Sequence, residues 1–237
     1  MQYTGAGGVP MRSNNSFTVS TDTRSGVLRC DGTELLTFSV SRPVFTADFE
    51  ACCLPPMNRS SQQTASNFER YARTCMYRDA RCDFIQNSTT DIPFHTYEAV
   101  QNYEIPYNQD CHLSVYVDQY QFSGGAHGIT PRSSQNWCAG LRRTLTLRDF
   151  FPHKPHLEQY IQCEIIRQIG VQMESGEKEY FDNYAELVAQ TFNPCSFYMV
   201  PGGLAVYFQQ YDIAPYVMGI PVFIIPYGGC AAPFPCS

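Results

Sequence analysis

His127 is the side chain in this sequence best suited to specific chemistry, because it lies within the glycine-rich segment Gly124-Gly125-Ala126-His127-Gly128. Glycine adopts positive φ without steric cost, so such a segment can bring the backbone and the imidazole close to a ligand. The imidazole could act as a general base, but that role needs a hydrogen-bonded partner and a cleft. A turn or bulge between strands explains the same glycines. We therefore predict a binding segment at residues 124–128 and assign no catalytic residue.

Two further histidines have a spacing that occurs in metal sites. His153 and His156 are three residues apart, and side chains at this spacing share one face of a helix. Pro152 and Pro155 would break that helix, so a surface loop is the favoured interpretation. The sequence also contains no Cys-x-x-Cys motif. We predict no bound metal.

Enzyme signatures are missing from the sequence. Asp110 and His112 would share one face of a strand, but a turn residue followed by a strand residue is the favoured explanation. The nucleophile elbow, the phosphate loop, the dinucleotide fingerprint and the His-Glu-x-x-His helix are all absent. We predict no cofactor, and the assignment of the protein as an enzyme stays open, leaning against it.

The net charge restricts the class of partner. The chain has 237 residues, a formal net charge of −6 and a pI near 5.3. Nucleic acid is disfavoured because binding to phosphates needs clustered Lys and Arg, and an anionic membrane surface is disfavoured likewise. The charge would steer a cationic protein partner, although ordinary solubility charge is the favoured explanation. No run approaches the ~18 apolar residues of a membrane span, so none is predicted.

The cysteine count indicates a compartment. Eleven cysteines at scattered spacing, without a metal motif, favour disulfides and secretion over buried free thiols. An odd number leaves at least one cysteine unpaired or bonded to another chain. We therefore expect an extracytoplasmic protein with disulfide bonds.

Hydrophobic periodicity predicts an α+β fold. Residues 34–45, 99–107, 111–122, 133–138, 196–200, 204–208 and 221–226 have strand character, and a short strand is expected at 143–147. A helix is expected after the polar stretch 58–64, where Ser66 and Glu69 form a capping-box pattern. Further helices are expected at 156–173 and 180–191. A mainly antiparallel sheet packed with two to three helices is the economical architecture.

The chain is predicted to have three parts. Residues 1–27 are expected to be a flexible leader, because the first residues are rich in Gly, Ser and Asn. Residues 28–118 would form a small N-terminal α+β lobe, and residues 119–237 a larger C-terminal α+β lobe. No internal repeat or low-complexity linker separates them.

A series of motifs, taken in order, resembles a known family. The segment 115–128, which ends in the Gly-Gly-Ala-His-Gly motif, is followed by residues 144–151 and then by Tyr211-Asp212-Ile-Ala-Pro-Tyr216 with Ile225-Pro-Tyr227. This arrangement resembles the extracytoplasmic domain of RsiV-type anti-sigma factors, which also accompanies the catalytic part of PdaC-type polysaccharide deacetylases. The resemblance adds Tyr211, Asp212 and Tyr216 to the candidate binding residues.

The resemblance implies a receptor outside the bacterial membrane. In the RsiV-type proteins the domain binds lysozyme, whereas the metal-binding Asp and His motifs of the deacetylase catalytic domain are absent here. We therefore predict a non-catalytic recognition or sensing domain whose partner is a protein, with lysozyme as the example, or a cell-wall glycan. The alternative is a glycan hydrolase or deacetylase module, accessory or catalytic, that uses His127.

Overall fold

The computed structural model of the protein describes residues 15–89, 93–176 and 178–227, and these residues form two β-sheets with helices packed against them. The strands are β1 Thr18–Cys30, β2 Thr33–Thr46, β3 Tyr97–Gln109, β4 His112–Phe122, β5 Arg132–Cys138, β6 Phe197–Val200, β7 Gly203–Tyr207 and β8 Val222–Pro226. The helices are α1 Leu54–Tyr71, a π-helical turn Ala72–Met76, α2 Tyr77–Asn87, α3 Leu147–Phe150, α4 Leu157–Glu174, α5 Tyr184–Thr191 and a 3-10 turn Tyr216–Met218. The predicted α+β class is confirmed.

The larger sheet has the strand order β1-β2-β3-β4-β5. All neighbours are antiparallel except β2 and β3, which run parallel because the long helical segment carries the chain back across the sheet between them. β1 pairs with β2 along its whole length, and the tight turn between them has positive φ at Asp31 and Gly32. Residues 18–27, which we predicted to be a flexible leader, therefore form most of a strand, and that part of the prediction is wrong.

A continuous helical rod of α1, the π-helical turn and α2 covers one face of this sheet. It begins at Leu54 with prolines in its first turn, where the missing N–H costs no helical hydrogen bond. Its small and apolar side chains pack against Leu36, Phe38 and Val40 of β2; they are Ala65, Phe68, Ala72, Met76 and Ala80. We predicted a helix start near Ser66, and this is wrong because Ser66 lies within α1.

The smaller sheet has the order β6-β7-β8 and is antiparallel. Helix α4 buries Ile161, Ile165 and Ile169 in the core that includes Met199 and Phe223 of this sheet. The predicted short strand at 143–147 does not form. Thr144 makes a single bridge to Trp137, and Thr146 with Asp149 then caps α3 in a capping box.

Strand β4 packs against α1 on one face and against the smaller sheet on the other, because alternate residues of a strand point to opposite faces. Leu113 and Val115 lie in the core beneath α1. Ser114 faces the other way, where its Oγ donates to Asn136 Oδ1 at 2.5 Å and accepts from Met199 N of β6 at 2.8 Å. The lobe boundary that we predicted between residues 118 and 119 falls within this strand.

Most of the described cysteines do not take part in the predicted disulfide framework. Eight of them carry free thiols: Cys30, Cys52, Cys53, Cys75, Cys82, Cys111, Cys163 and Cys195. Cys138 is buried and is not among these eight. Cys75 and Cys82 lie two turns apart on one helical rod, which is too far for a bond between them. The disulfide prediction is wrong for these eight residues. None of the described helices is both long and apolar enough to cross a bilayer.

Candidate functional site

The glycine-rich segment lies between β4 and the bridge that pairs Gln121 with Ile129. Gly124 adopts φ +81°, which favours glycine. A Cβ on Gly128 would overlap the Tyr120 ring and would lie 2.6 Å from the carbonyl oxygen of Gln121, so only glycine fits there. Gly125 has open space around it and Ala126 is exposed, so neither is constrained in this way. The segment therefore presents His127 at the surface next to a tightly packed backbone.

His127 is held between two tyrosines from a distant part of the chain. Its ring stacks on that of Tyr216, with centroids 3.8 Å apart and planes at 16°. The hydroxyl of Tyr211 and Nε2 of His127 are 3.0 Å apart in a hydrogen bond, and Nδ1 of His127 lies 3.2 Å from the carbonyl oxygen of Gly128. Three of the predicted binding residues thus form one surface cluster.

Two exposed apolar residues adjoin this cluster, Val217 in sequence and Ile129 along a bordering cleft. Val217, next to Tyr216, is 81% exposed, and Ile129 and Tyr211 are 49% and 48% exposed. We call His127, Tyr211, Tyr216, Ile129 and Val217 the His127 surface. A shallow cleft of about 180 Å³ borders it and is lined by Ile129, Thr130, Pro131, Gln209, Gln210 and Tyr211.

Two glutamines fix the two segments of the His127 surface against each other. Gln210 Oε1 accepts a hydrogen bond from the backbone N–H of Thr130 at 2.7 Å. The side-chain amide of Gln209 accepts a hydrogen bond from the backbone N–H of Arg132 at 2.9 Å and donates one to the backbone carbonyl oxygen of Arg132 at 2.8 Å. The backbone of a paired strand would make the same two bonds. These glutamines give no signal in the sequence, because amide side chains that bond to a distant backbone leave no local pattern.

Asp212 does not join the His127 surface. Its carboxylate accepts a hydrogen bond from the backbone N–H of Gln209 at 2.7 Å, which tightens the turn that carries Tyr211 at φ +68°. Burial raises the pKa of Asp212, and this hydrogen bond offsets only part of the effect. Asp212 therefore positions Tyr211 and offers no carboxylate to His127.

An ion pair supports the strand behind the surface. Arg132 donates two hydrogen bonds of 2.7 Å to Asp118, and its guanidinium lies 3.9 Å from the centre of the Tyr116 ring. Burial alone would lower the pKa of Arg132, but the hydrogen bonds and charge of Asp118 outweigh it and raise that pKa. The pair fixes the strand that starts at Arg132.

The surroundings of two histidines and of the metal-ligating side chains bear on possible chemistry. Both ring nitrogens of His127 face uncharged groups, so no carboxylate orients the imidazole as a general base. His112 is buried, which lowers its pKa, and its Nδ1 lies 2.6 Å from the backbone oxygen of Asp110 and not from the carboxylate. Among the residues that the structure describes, no three His, Cys, Asp or Glu side chains could jointly hold a metal ion.

The site unites segments that match two different protein families. Residues 30–130, which include the glycine-rich segment, match the family described as deacetylase PdaC. Residues 148–228, which include Tyr211 and Tyr216, match a protein family of unknown function, DUF3298. No curated protein matches the chain. The PdaC-associated part of the predicted resemblance is confirmed.

Two crystal structures share the fold. A DUF3298 family member from Bacteroides fragilis is 17% identical with a TM-score of 0.61, and the match covers 93% of this chain and 96% of that one. A DUF3298 family protein from Pseudomonas aeruginosa is also 17% identical, with a TM-score of 0.59 and coverage of 94% and 96%. The chain therefore has the fold of these DUF3298 structures, and it combines a segment that matches the PdaC family with a later segment that matches DUF3298.

Proposed function

We propose that this chain is a non-catalytic extracytoplasmic recognition domain that binds a protein ligand through the His127 surface. The observation that carries the proposal is the exposed cluster of stacked rings and apolar side chains around His127. Tyrosines are enriched at protein interfaces because they bring a large contact area with a polar tip and few rotatable bonds. The cluster combines residues of both family-matched segments, because His127 lies in the first and Tyr211 and Tyr216 lie in the second.

The net charge and the resemblance to RsiV-type domains support a cationic partner. A charge of −6 would attract a basic protein and accelerate its association. Lysozyme is the basic protein that the RsiV-type resemblance implies. The location outside the cytoplasm depends on that resemblance as well, because the eight free thiols give it no support.

Calorimetry with a c-type lysozyme at low and moderate salt tests the proposal. We expect binding that weakens with salt, since charge steering is screened. Val217→Ser should weaken binding about tenfold, because the burial of this exposed valine beside Tyr216 by a partner is worth ~1–2 kcal/mol. Val171→Ser is the matched control, since this valine of α4 is 55% exposed and lies outside the His127 surface.

Two results would contradict the proposal. The absence of heat at either salt concentration would remove lysozyme as the partner, and equal losses in both valine variants would remove the His127 surface as its site. The alternative, a catalytic module, is tested with His127→Ala in an assay for hydrolysis or deacetylation of peptidoglycan fragments. Activity in the wild type that is lost in His127→Ala would favour the enzyme.

A further inference from the structure

A second surface cleft lies on the opposite face of β4, between this strand and helix α1. It is open to solvent and has a volume of about 470 Å³, within the roughly 300–1,000 Å³ range of small-molecule sites. It is lined by Thr64, Asn67, Phe68, Tyr71, Gln119 and Gln121. Of the residues the structure describes, those that line this cleft include no Asp, Glu, Lys or Arg, so its ligand needs no charge.

The backbone aligns these side chains on two facing elements. Thr64, Phe68 and Tyr71 follow helical spacing along one face of α1. Gln119 and Gln121 are two residues apart on β4, so they point to the same side of the sheet. Tyr120 lies between them and points to the other side, where it packs against Gly128. The cleft and the His127 surface are therefore separate.

Asn67 supplies a hydrogen-bond donor to the cleft. Its Oδ1 accepts from the side chains of Gln63 at 2.9 Å and Arg70 at 2.5 Å, both on the same helix. These two bonds fix the orientation of the amide and occupy its acceptor. The Nδ2 group has no bond to any described residue and remains able to donate.

Gln119 supplies a hydrogen-bond acceptor. Its Nε2 donates to Gln101 Oε1 at 2.8 Å, and the Nε2 of Gln101 donates to the carbonyl oxygen of Ser41 at 3.0 Å. Gln101 is 1% exposed, so this chain of amides is anchored in the protein interior. The Oε1 of Gln119 has no partner among the described residues and can accept a hydrogen bond from a ligand.

Tyr71 adds a flat apolar face to this polar pair. Its ring is 41% exposed and lies nearly parallel to that of the buried Phe68, at 25° and 6.5 Å between centroids. Packing against Phe68 restricts the ring without covering it. An oriented donor, an oriented acceptor and an exposed ring thus border one uncharged cleft.

We propose that this cleft binds a neutral saccharide. A sugar presents adjacent hydroxyl groups that donate and accept together, which suits the Asn67 donor and the Gln119 acceptor. The C–H face of a sugar ring is apolar and can pack on Tyr71. A neutral peptide also carries paired donors and acceptors, but its backbone lacks the apolar C–H ring face that would pack on Tyr71.

Titration of the whole chain by ¹H–¹⁵N NMR with chitotriose, cellotriose or triglycine amide tests the proposal. We expect a saccharide to shift the side-chain amide signals of Asn67, Gln119 and Gln121. Tyr71→Ala should weaken binding about threefold to tenfold through lost packing. Asn67→Asp should weaken it about tenfold, because it removes the donor while keeping the acceptor that Gln63 and Arg70 use.

Controls separate this proposal from the function of the His127 surface. Val217→Ser should leave saccharide binding unchanged, whether or not lysozyme binds. The proposal is supported if either saccharide binds and both cleft variants bind it more weakly. Tighter binding of chitotriose than of cellotriose would show that the cleft also recognises the acetamide group. The proposal is overturned if neither saccharide shifts these signals at millimolar concentration, if both cleft variants bind like the wild type, or if triglycine amide alone binds.

Discussion

Replacing Gly128 by alanine tests whether close packing, rather than flexibility, is the reason for glycine in the binding segment. The new Cβ would lie 2.6 Å from the Gln121 carbonyl oxygen and would overlap the Tyr120 ring. The ring can rotate away, but the carbonyl belongs to the bridge with Ile129 and cannot move without breaking it. Overpacking of this kind costs ~1–3 kcal/mol. Removing backbone freedom from the unfolded chain offsets roughly 0.4–1 kcal/mol.

Gly125→Ala is the matched control for this prediction. No atom lies within 4 Å of a Cβ at this position, and its φ is not positive, so only the unfolded-state effect remains. We expect Gly125→Ala to be neutral or to stabilise the protein by ~0.4–1 kcal/mol. The two variants should therefore differ by roughly 1–3 kcal/mol in their free energies of unfolding.

Urea unfolding followed by the fluorescence of Trp137, the single tryptophan and a buried one, measures the difference. The midpoint should fall for Gly128→Ala with an unchanged slope, since one added methyl group hardly changes the surface that unfolding exposes. Tyr120→Ala combined with Gly128→Ala should recover part of the loss, because the ring clash disappears while the carbonyl clash remains. Equal free energies of unfolding for the two glycine variants would refute the packing argument.

Three further predictions concern charge and thiols. Asp118→Asn should destabilise the protein by ~1.5–3 kcal/mol in urea unfolding, because it leaves the largely buried Arg132 guanidinium without its anion. A loss of stability below about 0.5 kcal/mol, which is typical of exposed ion pairs, would contradict this prediction. Hydrogen bonds from Arg143 lower the pKa of Asp149 from 3.8 to about 2, so its stabilising effect is complete above about pH 4 and is lost as the pH falls towards 2. Asp149→Asn should flatten the pH dependence of stability in that window, and an unchanged curve would argue against the assignment. Iodoacetamide should label the exposed thiols of Cys82, Cys163 and Cys195 in the unreduced native protein. Cys53 should resist labelling, because it is buried and burial raises its pKa to about 11. Mass spectrometry distinguishes these outcomes.

The sequence predicted the elements that bury a regular apolar stripe. Leu36, Phe38 and Val40 alternate along β2, and all three are buried. Ile161, Ile165 and Ile169 recur at helical spacing, and α4 extends over Leu157–Glu174 against an expected 156–173. In both elements one face packs against the core, so the spacing of the apolar residues was sufficient to predict the element.

The missed elements depend on backbone pairing and on turns. β1 carries polar residues on both faces, because an edge strand is held by hydrogen bonds to β2 more than by burial. The Asp31-Gly32 dipeptide is a hairpin signal that could have revealed it. Pro55 and Pro56 likewise mark the true start of α1.

The candidate site was predictable only as separate pieces. The glycines indicated that His127 would be presented on a turn, and the motif order added Tyr211 and Tyr216. Their stacking depends on the amide bonds of Gln209 and Gln210 across the fold, which no local pattern encodes. Val217 gave no signal either, since one exposed valine is unremarkable until its neighbours are known.

The two faces of β4 have a consequence for cooperativity. The strand supplies Leu113 to the core beneath α1 and Ser114 to the junction with β6, so neither half keeps its core if the other unfolds. β5, which lies between the two family-matched segments in sequence, pairs with β4 and bonds to β6 through Asn136. The segments therefore behave as one folding unit. A chain cut between them would expose Ser114 of β4 in one fragment and Met199 of β6, its hydrogen-bond partner, in the other.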